Sequence, residues 1–235
     1  YEILDLIAYY FPECEGINMD ATVTSILHKS QEELEMLARK KVKHLYLGIE
    51  SGLDDVLKFM KKDHDLAQAY QAIDRLHEAG LIYDAHIMTG VAGKGRGMEN
   101  AEALAQFLNR TNPAHVVNFS MFLHKEVPLY QDIRQGTFVP ADELETIREE
   151  YHLIERIAPE KAGANILYDG FHDFIHVRVR GHLPGDKEKM LAKLNGIIQE
   201  YEGKEPVYSF VQGECPDLEY CDDGKAVWDM DRKTS

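Results

Sequence analysis

The sequence predicts an α/β fold in which parallel strands alternate with helices as part of a (β/α) barrel. Strand patterns recur at intervals of roughly 30 residues up to residue 120, which is the period of strand–helix units. Within the stretch 44–49, bulky apolar residues run without alternation, as in a strand buried on both faces. Polar residues follow it directly at Glu50 and Ser51, and ligands of parallel α/β folds lie beyond the carboxyl ends of the strands.

Local signals define each element up to residue 120. Pro12 ends the first helix, because proline cannot donate to a helix and restricts the residue before it. Ser30 and Glu33 form a capping box, and Gly80 follows a helix as its preferred terminator. Four strands are too few to close a barrel. The predicted helices cover 1–10, 30–40, 53–62, 66–79 and 98–110, and the predicted strands cover 17–22, 44–50, 82–88 and 116–120.

After residue 120 the strand–helix rhythm changes. A loop containing Pro128, Gly136 and Pro140 precedes the rest. One of the following strands alternates apolar and charged residues, so one of its faces is expected to be wet. We therefore divide the chain into a partial barrel (1–140), a small α+β carboxyl-terminal extension (141–203) and an acidic tail (204–235) that is extended or partly disordered. The predicted elements are helices at 141–157 and 186–202 and strands at 166–168 and 174–180.

Composition disfavours, without excluding, a nucleic-acid partner. The 235 residues carry a formal net charge of −15, which disfavours nucleic acid because phosphate binding needs clustered lysine and arginine. A small molecule or a protein is the expected substrate. No apolar run approaches the length of a membrane span. The three cysteines, Cys14, Cys215 and Cys221, form no disulfide framework, which predicts a reducing, cytoplasmic location.

Several segments together resemble the radical S-adenosylmethionine (radical SAM) superfamily. The segment Leu47–Lys62 includes the sequence Gly-Ile-Glu-Ser-Gly, and it is followed by Leu76–Leu81 and Ile87–Gly93. These resemble the middle of such enzymes, especially relatives of oxygen-independent coproporphyrinogen oxidases and methylthiotransferases. Leu129–Ile133 with Gly136 is similar to their stretch after the sixth barrel strand. The resemblance extends over about residues 1–157.

The resemblance implies an incomplete barrel of six parallel strands in which a C-x-x-x-C-x-x-C loop holds a [4Fe–4S] cluster. It also implies reductive cleavage of S-adenosylmethionine to a 5′-deoxyadenosyl radical. This sequence has no cysteine triplet at that spacing. Tyr1 opens a helical pattern already under way, so we expect a fragment of a longer enzyme that lacks roughly 60 residues, or two strand–helix units. By itself the fragment is expected to be inactive and to bind neither cluster nor cofactor.

Four candidate cofactor-binding residues follow the central strand. The resemblance places Glu50 against the cofactor, where a carboxylate suits its ammonium group or ribose hydroxyls; alternatively Glu50 caps the next helix. Ser51 and Gly52 either hold a carboxylate or shape the turn. Lys62 falls where relatives carry an arginine that grips the cofactor carboxylate, although it is also one of several lysines in an exposed run.

Four further candidates lie on other strands. His86 precedes Gly90 on the third predicted strand, where relatives often place a polar residue toward the ribose. Asp20 ends the first strand and is expected to face the same cavity. Asn118 and Ser120 alternate along the fourth strand and so share one side of the sheet; they meet cofactor or substrate if that side is the lumen. We assign no catalytic residue and no metal ligand.

Two function classes remain open, together with one prediction about assembly. The chain is either part of a radical SAM enzyme or a non-catalytic binding module on another parallel α/β fold, in which Glu50 is merely structural. Removal of the first strands would leave the strand at 17–22 with an unpaired edge, which invites pairing with another chain. We expect a homodimer through this edge, or an edge covered by the tail.

Overall fold

A single six-stranded sheet dominates the computed structural model, which describes residues 1–210. The strands lie in the sheet in chain order. The first five are parallel, and the last is antiparallel to the fifth. The strands are β1 (Ile17–Ala21), β2 (Val42–Glu50), β3 (Ile82–Thr89), β4 (His115–Ser120), β5 (Ile166–His172) and β6 (Val177–Leu183).

This strand order confirms the predicted fold class. A doubly wound sheet reverses its order at a switch point, whereas here every new strand is added on the same side of the previous one. Right-handed crossovers in that sequence place all the connecting helices on one face of the sheet. The result is a partial (β/α) barrel with one face covered by helices and the other left open.

Nine helices lie among the described residues. Most agree with the sequence-based prediction, including the capping box of α3, in which Ser30 and Glu33 bond each other's backbone N–H. The helices are α1 (Glu2–Tyr10), α2 (Val23–Leu27), α3 (Gln31–Arg39), α4 (Asp54–Phe59), α5 (Leu66–Glu78), α6 (Gly97–Thr111), α7 (Leu129–Arg134), α8 (Glu143–Arg156) and α9 (Lys187–Tyr201).

Two short helices were not predicted, and the bounds of the last two strands differ from the prediction: β5 extends to His172 rather than to 168, and β6 extends to Leu183 rather than to 180. Helices α2 and α7 have five and six residues, too short to show a helical period. The last strand begins at Val177 rather than at 174, because Asp173–Ile175 form a 3-10 turn that ends at His176 in the left-handed conformation. This turn reverses the chain between β5 and β6, which accounts for their antiparallel pairing.

The core lies between the sheet and its helices. Leu45, Leu47 and Ile49 on β2 point toward the helices and are buried, as are Ala85 and Ile87 on β3. The intervening residues of both strands are mostly partly exposed. The open face of the sheet is therefore accessible, and we call it the inner face.

The predicted extension continues the same sheet. Strand β5 pairs with β4, and helix α8 packs mainly against α6 and α9. Residues 204–210 run back to the partial barrel, where the Leu123 amide donates to the Ser209 carbonyl at 2.7 Å and Phe210 is buried. The rest of the predicted tail, including Cys215 and Cys221, lies outside the described residues.

No helix within residues 1–210 is both long enough and apolar enough to cross a membrane.

Candidate functional site

The inner face carries one residue of each parallel strand at neighbouring positions. Asp20 pairs in register with Tyr46. The Tyr46 ring lies 5.1 Å from the His86 ring between centroids, and His86 contacts Phe119. Phe119 stacks on Phe171 with centroids 5.6 Å apart. Polar and aromatic side chains thus form a continuous accessible band across the sheet.

Glu50 occupies an unusual backbone position at the carboxyl end of β2. Its φ is +63°, in the left-handed region that non-glycine residues rarely adopt. The register between β2 and β3 shifts between Gly48 and Glu50, as at a β-bulge. Bulges re-aim side chains and are common beside active sites. The bulge and the left-handed residue together orient the Glu50 carboxylate toward Lys62.

Lys62 reaches Glu50 because of how α4 ends. The Lys62 N–H donates to the Leu57 carbonyl and the Lys61 N–H donates to the Lys58 carbonyl, the two hydrogen bonds of a Schellman motif. Lys61 takes the left-handed position of that motif, with φ +56°. The chain therefore turns back at the end of the helix and brings Lys62 to the end of β2.

Glu50 and Lys62 form an ion pair that is open to solvent. The Lys62 Nζ lies 3.2 Å from Glu50 Oε1, and the two side chains are 28% and 23% exposed. A Cβ on Gly48 would lie 2.7 Å from Glu50 Oε1 and 3.2 Å from Lys62 Nζ. Gly48 therefore leaves the space that the pair occupies. Helix α4 has Leu53 as its N-cap and no side-chain cap, so Glu50 does not cap it.

His86 is the third candidate that the structure brings to this place. It pairs in register with Gly48, the glycine that makes room for the ion pair. Its ring lies against Tyr46 on one side and Phe119 on the other. Glu50, Lys62 and His86 thus form one group at the carboxyl end of the sheet, which we call the strand-end site.

Asp20 lies on the same face but lower in the sheet. Its register partner Tyr46 precedes Glu50 by four residues, roughly 13 Å along a strand. Burial raises the pKa of Tyr46, and the charges of Asp84 and Asp20 add to this increase. Asp20 therefore acts on the inner face electrostatically and is not part of the strand-end site.

Two linked pairs form the floor of the inner face below His86. His44 Nδ1 lies 2.6 Å from Asp84 Oδ2, and the Tyr46 hydroxyl lies 3.2 Å from His115 Nδ1. Burial raises the pKa of Asp84, and the hydrogen bond from His44 opposes this increase. The sequence analysis did not single out these residues, because each is an isolated polar residue in an apolar strand.

Ser51 and Gly52 lie beneath the strand-end site, on the helix side. The Ser51 hydroxyl donates to Asn100 Oδ1 at 2.6 Å, and the Gly52 amide donates to the same oxygen at 3.2 Å. The Ser51 Oγ also accepts from the Leu53 amide. A Cβ on Gly52 would collide with the backbone of Ala103. Both residues shape the turn after β2 and dock it on α6.

Asn118 and Ser120 share one side of β4, as predicted, but the structure does not bring them to the inner face. Asn118 pairs in register with Ile87, whose side chain is buried against the helices. The Asn118 Nδ2 donates to Glu150 Oε1 at 3.0 Å, and the Ser120 hydroxyl donates to Glu143 Oε1 at 3.2 Å. Both residues point toward α8, because the alternation of β4 places Val117 and Phe119 on the inner side.

These partners belong to a group of three buried glutamates on α8, which we call the buried carboxylate cluster: Glu143, Glu149 and Glu150. Each is at most 2% exposed. His172 bridges two of them, with Nδ1 3.0 Å from Glu143 Oε2 and Nε2 3.0 Å from Glu150 Oε2. The sequence contains no signal for this cluster, because glutamates on an amphipathic helix are ordinarily solvated.

Ionisation within the buried carboxylate cluster is strongly perturbed. Burial opposes protonation of His172, but the Glu150 charge and the hydrogen bonds to Glu143 and Glu150 outweigh it and raise its pKa to about 10. Burial also raises the pKa of Glu149 to about 8, against hydrogen bonds from Asn100 and the Gly90 amide. Hydrogen bonds from Asn118, Ser120 and His172 to the buried carboxylate cluster connect the ends of β4 and β5 to α8.

The chain does not contain a ligand set for an iron–sulfur cluster. No three cysteines occur at the spacing that such a cluster needs. Within residues 1–210 no group of three or more His, Cys, Asp or Glu residues is arranged to hold a metal ion. The strand-end site does fit the methionine end of S-adenosylmethionine, because it presents one carboxylate and one ammonium group side by side at an open strand end.

Comparisons with known proteins relate part of the chain to a known family. Residues 2–108, a little under half of the chain, match the model of the Radical SAM superfamily. The tRNA uridine(34) acetyltransferase of Methanocaldococcus infernus (strain DSM 11812 / JCM 15783 / ME) is 25% identical over 119 residues, which cover 50% of this chain and 22% of that protein. The chain therefore spans less than a quarter of the curated relative that it matches.

A solved structure has a similar fold. The archaeal Methanocaldococcus infernus Elp3 with an N-terminal deletion (1–46) superposes with a TM-score of 0.59 at 17% identity. The match covers 80% of this chain and 42% of the other. At this identity the likeness concerns the fold. The family match over residues 2–108 and this likeness of fold both agree with the resemblance to the radical SAM superfamily.

Proposed function

We propose that this chain supplies the S-adenosylmethionine-binding back part of a radical SAM enzyme, with the strand-end site as its contact to the cofactor. The observation that carries the proposal is the strained, solvent-open pairing of Glu50 and Lys62 at a β-bulge. Left-handed backbone at a non-glycine residue costs roughly 1–3 kcal/mol and is concentrated at functional sites.

The charges of the pair match the ligand. The methionine end of S-adenosylmethionine is a zwitterion with one ammonium and one carboxylate group. Glu50 would accept hydrogen bonds from the ammonium, and Lys62 would donate to the carboxylate. Because the two side chains are each about a quarter exposed, they can exchange their mutual contact for the ligand without leaving a buried unpaired charge.

The [4Fe–4S] cluster would be held by polypeptide outside these 235 residues. When bound, it would supply the electron that cleaves S-adenosylmethionine into methionine and a 5′-deoxyadenosyl radical. By itself this chain is expected to carry out no such step. Its own contribution is to hold and orient the methionine end and to offer the inner face to a substrate.

Calorimetric titration of the full-length, anaerobically reconstituted protein with S-adenosylmethionine tests the proposal. We expect Glu50→Gln to weaken binding by about tenfold or more, because a charge-assisted hydrogen bond is lost. Glu35→Gln is the matched control, since Glu35 belongs to an exposed ion pair with Arg39 on α3. Absence of binding by the parent protein would favour the alternative, a non-catalytic binding module in which Glu50 is structural.

We infer a small molecule or a protein as the substrate, in the cytoplasm, and not a nucleic acid. A net charge of −15 opposes approach to a phosphate backbone. The relative from M. infernus is named for a tRNA uridine, but it matches only half of this chain. We expect a filter-binding assay to detect no complex with tRNA at low or high salt. Tight tRNA binding would contradict this inference.

We also infer that this 235-residue chain by itself forms a homodimer through β1. This strand is at the edge of the sheet, and Asn18, Met19 and Asp20 along it are exposed. An exposed strand edge is a template for pairing with another chain. Sedimentation as a dimer with slow amide exchange at 17–21 would agree. A monomer in which these amides exchange freely would refute the inference.

A further inference from the structure

A concave site lies at the opposite rim of the sheet from Glu50. It is a cleft of about 680 Å³ among the amino ends of β3, β4 and β5, lined by Tyr83, Ala114 and Asn165 with the loops before them. This volume is within the range of small-molecule sites. None of the candidate cofactor contacts lies in it, so the proposed function leaves it unexplained.

The cleft is basic in a strongly acidic chain. His77, Arg110 and Lys161 line it, and no aspartate or glutamate does, although the chain has 41 acidic residues. The charges of the lining thus run against the net charge of −15. Such a local reversal of sign attracts anions to the cleft.

Arg110 and Lys161 stay charged at neutral pH, and their side-chain N–H donors are available to a ligand. Among residues 1–210, neither the Arg110 side chain nor the Lys161 side chain makes a hydrogen bond or an ion pair. By contrast, Arg96 binds two carboxylates on the surface. The Arg110 guanidinium lies over the Tyr70 ring, 4.2 Å from its centroid, which holds the group in place while its edge stays free. The cleft therefore offers oriented donors that lack acceptors.

Buried polar atoms in the lining also lack partners within residues 1–210. Tyr83 is 1% exposed, and its hydroxyl makes no hydrogen bond of good geometry, although the Thr111 hydroxyl lies within its reach. That Thr111 hydroxyl donates to the Phe107 carbonyl. The Asn112 Oδ1 is likewise buried and unpaired. A buried polar group without a partner is destabilising, so the lining is better satisfied with a polar ligand present.

His77 is a titratable residue in the lining of the cleft. Burial lowers its pKa; the nearby Asp74 charge opposes this decrease, and the Lys161 charge adds to it. The imidazole is therefore mainly neutral at pH 7, when it offers one donor and one acceptor. Arg110 and Lys161 then carry the positive charge of the cleft, and the neutral groups around them suit hydroxyls.

We propose that this cleft is a binding site for a small phosphorylated molecule. The phosphate oxygens would accept from the Arg110 guanidinium, whose fork geometry matches a phosphate, and from the Lys161 ammonium. Hydroxyl groups of the ligand would donate to Asn112 Oδ1 and accept from Tyr83. Because the cleft and the strand-end site lie at opposite ends of the strands, each binds its ligand independently of the other.

The test is a titration of the purified protein with ribose 5-phosphate and, separately, with inorganic phosphate. We expect saturable binding of ribose 5-phosphate at or below about 1 mM, weaker binding of phosphate alone, and a loss of about tenfold or more in the double variant Arg110→Gln, Lys161→Gln. Both residues are exposed, so the variant is expected to fold, and its thermal unfolding is measured alongside.

Arg134→Gln is the matched control, because Arg134 is an exposed arginine on α7 and its loss changes the net charge in the same direction. An equal loss of binding in this control would overturn the proposal in favour of nonspecific charge attraction. Absence of saturable binding by the parent would also overturn it. Glu50→Gln is expected to leave ribose 5-phosphate binding unchanged, so failure here is distinguishable from failure of the proposed cofactor site.

Discussion

Glutamate side chains lie near the carboxyl ends of the strands on both sides of the sheet, but their surroundings on the two sides are opposite in kind. On the helix side, the buried carboxylate cluster is fully enclosed and hydrogen-bonded by His172, Tyr168, Asn118 and neighbouring groups. On the inner face, Glu50 is partly exposed, sits in a left-handed conformation and contacts one lysine.

The difference teaches which polar groups maintain the fold and which are available for a ligand. A buried polar group must have its partners within the protein, so removing one leaves others unpaired and destabilises the fold. In a partly exposed ion pair such as Glu50 and Lys62, each charge depends less on its partner, because water can replace the partner. We therefore expect substitutions on the helix side to change stability and substitutions at the strand-end site to change ligand binding.

The largest expected effect is that of Glu150→Leu. The substitution leaves the Tyr168 hydroxyl and His172 Nε2 without Glu150 as their acceptor, while His172 Nδ1 keeps Glu143. Loss of one partner of a buried ionic network typically costs about 3–5 kcal/mol. Urea denaturation measures the free energy of unfolding. Glu150→Gln keeps a carbonyl acceptor and should cost less. A Glu150→Leu protein as stable as the parent would remove the distinction between the two faces.

The second expected effect is a decrease in stability as the pH rises. The pKa of His172 is raised to about 10 in the folded state, so its contribution is fully present below its unfolded value, near 6.5, and is lost by about pH 10. Glu149 has a folded pKa of about 8, so folding binds a proton there and stability falls between about pH 4.5 and 8.

Both groups therefore act in the same direction between about pH 6.5 and 8, with a slope on the order of 1 kcal/mol per pH unit for each proton. Unfolding free energies measured from pH 6 to pH 9 in urea check this expectation. Glu149→Gln should flatten the lower part of the profile and leave the upper part. A stability that rises through this range would show that the cluster is not protonated as the geometry indicates.

The smallest expected effects come from a matched pair on adjacent strands. Asn118→Ala should lower the free energy of unfolding by about 1–3 kcal/mol, because Glu150 and the Thr89 amide each lose a partner, and it should leave S-adenosylmethionine binding unchanged. His86→Ala should weaken that binding and change stability little. Calorimetry and urea denaturation of both variants measure the two quantities, and the reverse outcome would mean that the faces are exchanged.

The candidate site was predictable to the extent that it depends on strand ends. Glu50 and Lys62 were identified from a strand pattern and a resemblance, and the structure brings them within hydrogen-bonding distance. Asn118 and Ser120 were correctly placed on one side of their strand, but alternation alone does not tell which side faces the helices. Gly48 was not recognised as the residue that makes room for the pair, because that role depends on two side chains from elsewhere.

The sequence by itself determined the order of strands and helices and the class of fold, because apolar periodicity, capping residues and glycine positions act over a few neighbouring residues. The tertiary structure decided which face of each strand is buried, where the sheet register shifts at Glu50, and that three glutamates of α8 lie in the interior. These features depend on contacts between residues far apart in the chain, and a local pattern of side chains contains no information about such contacts.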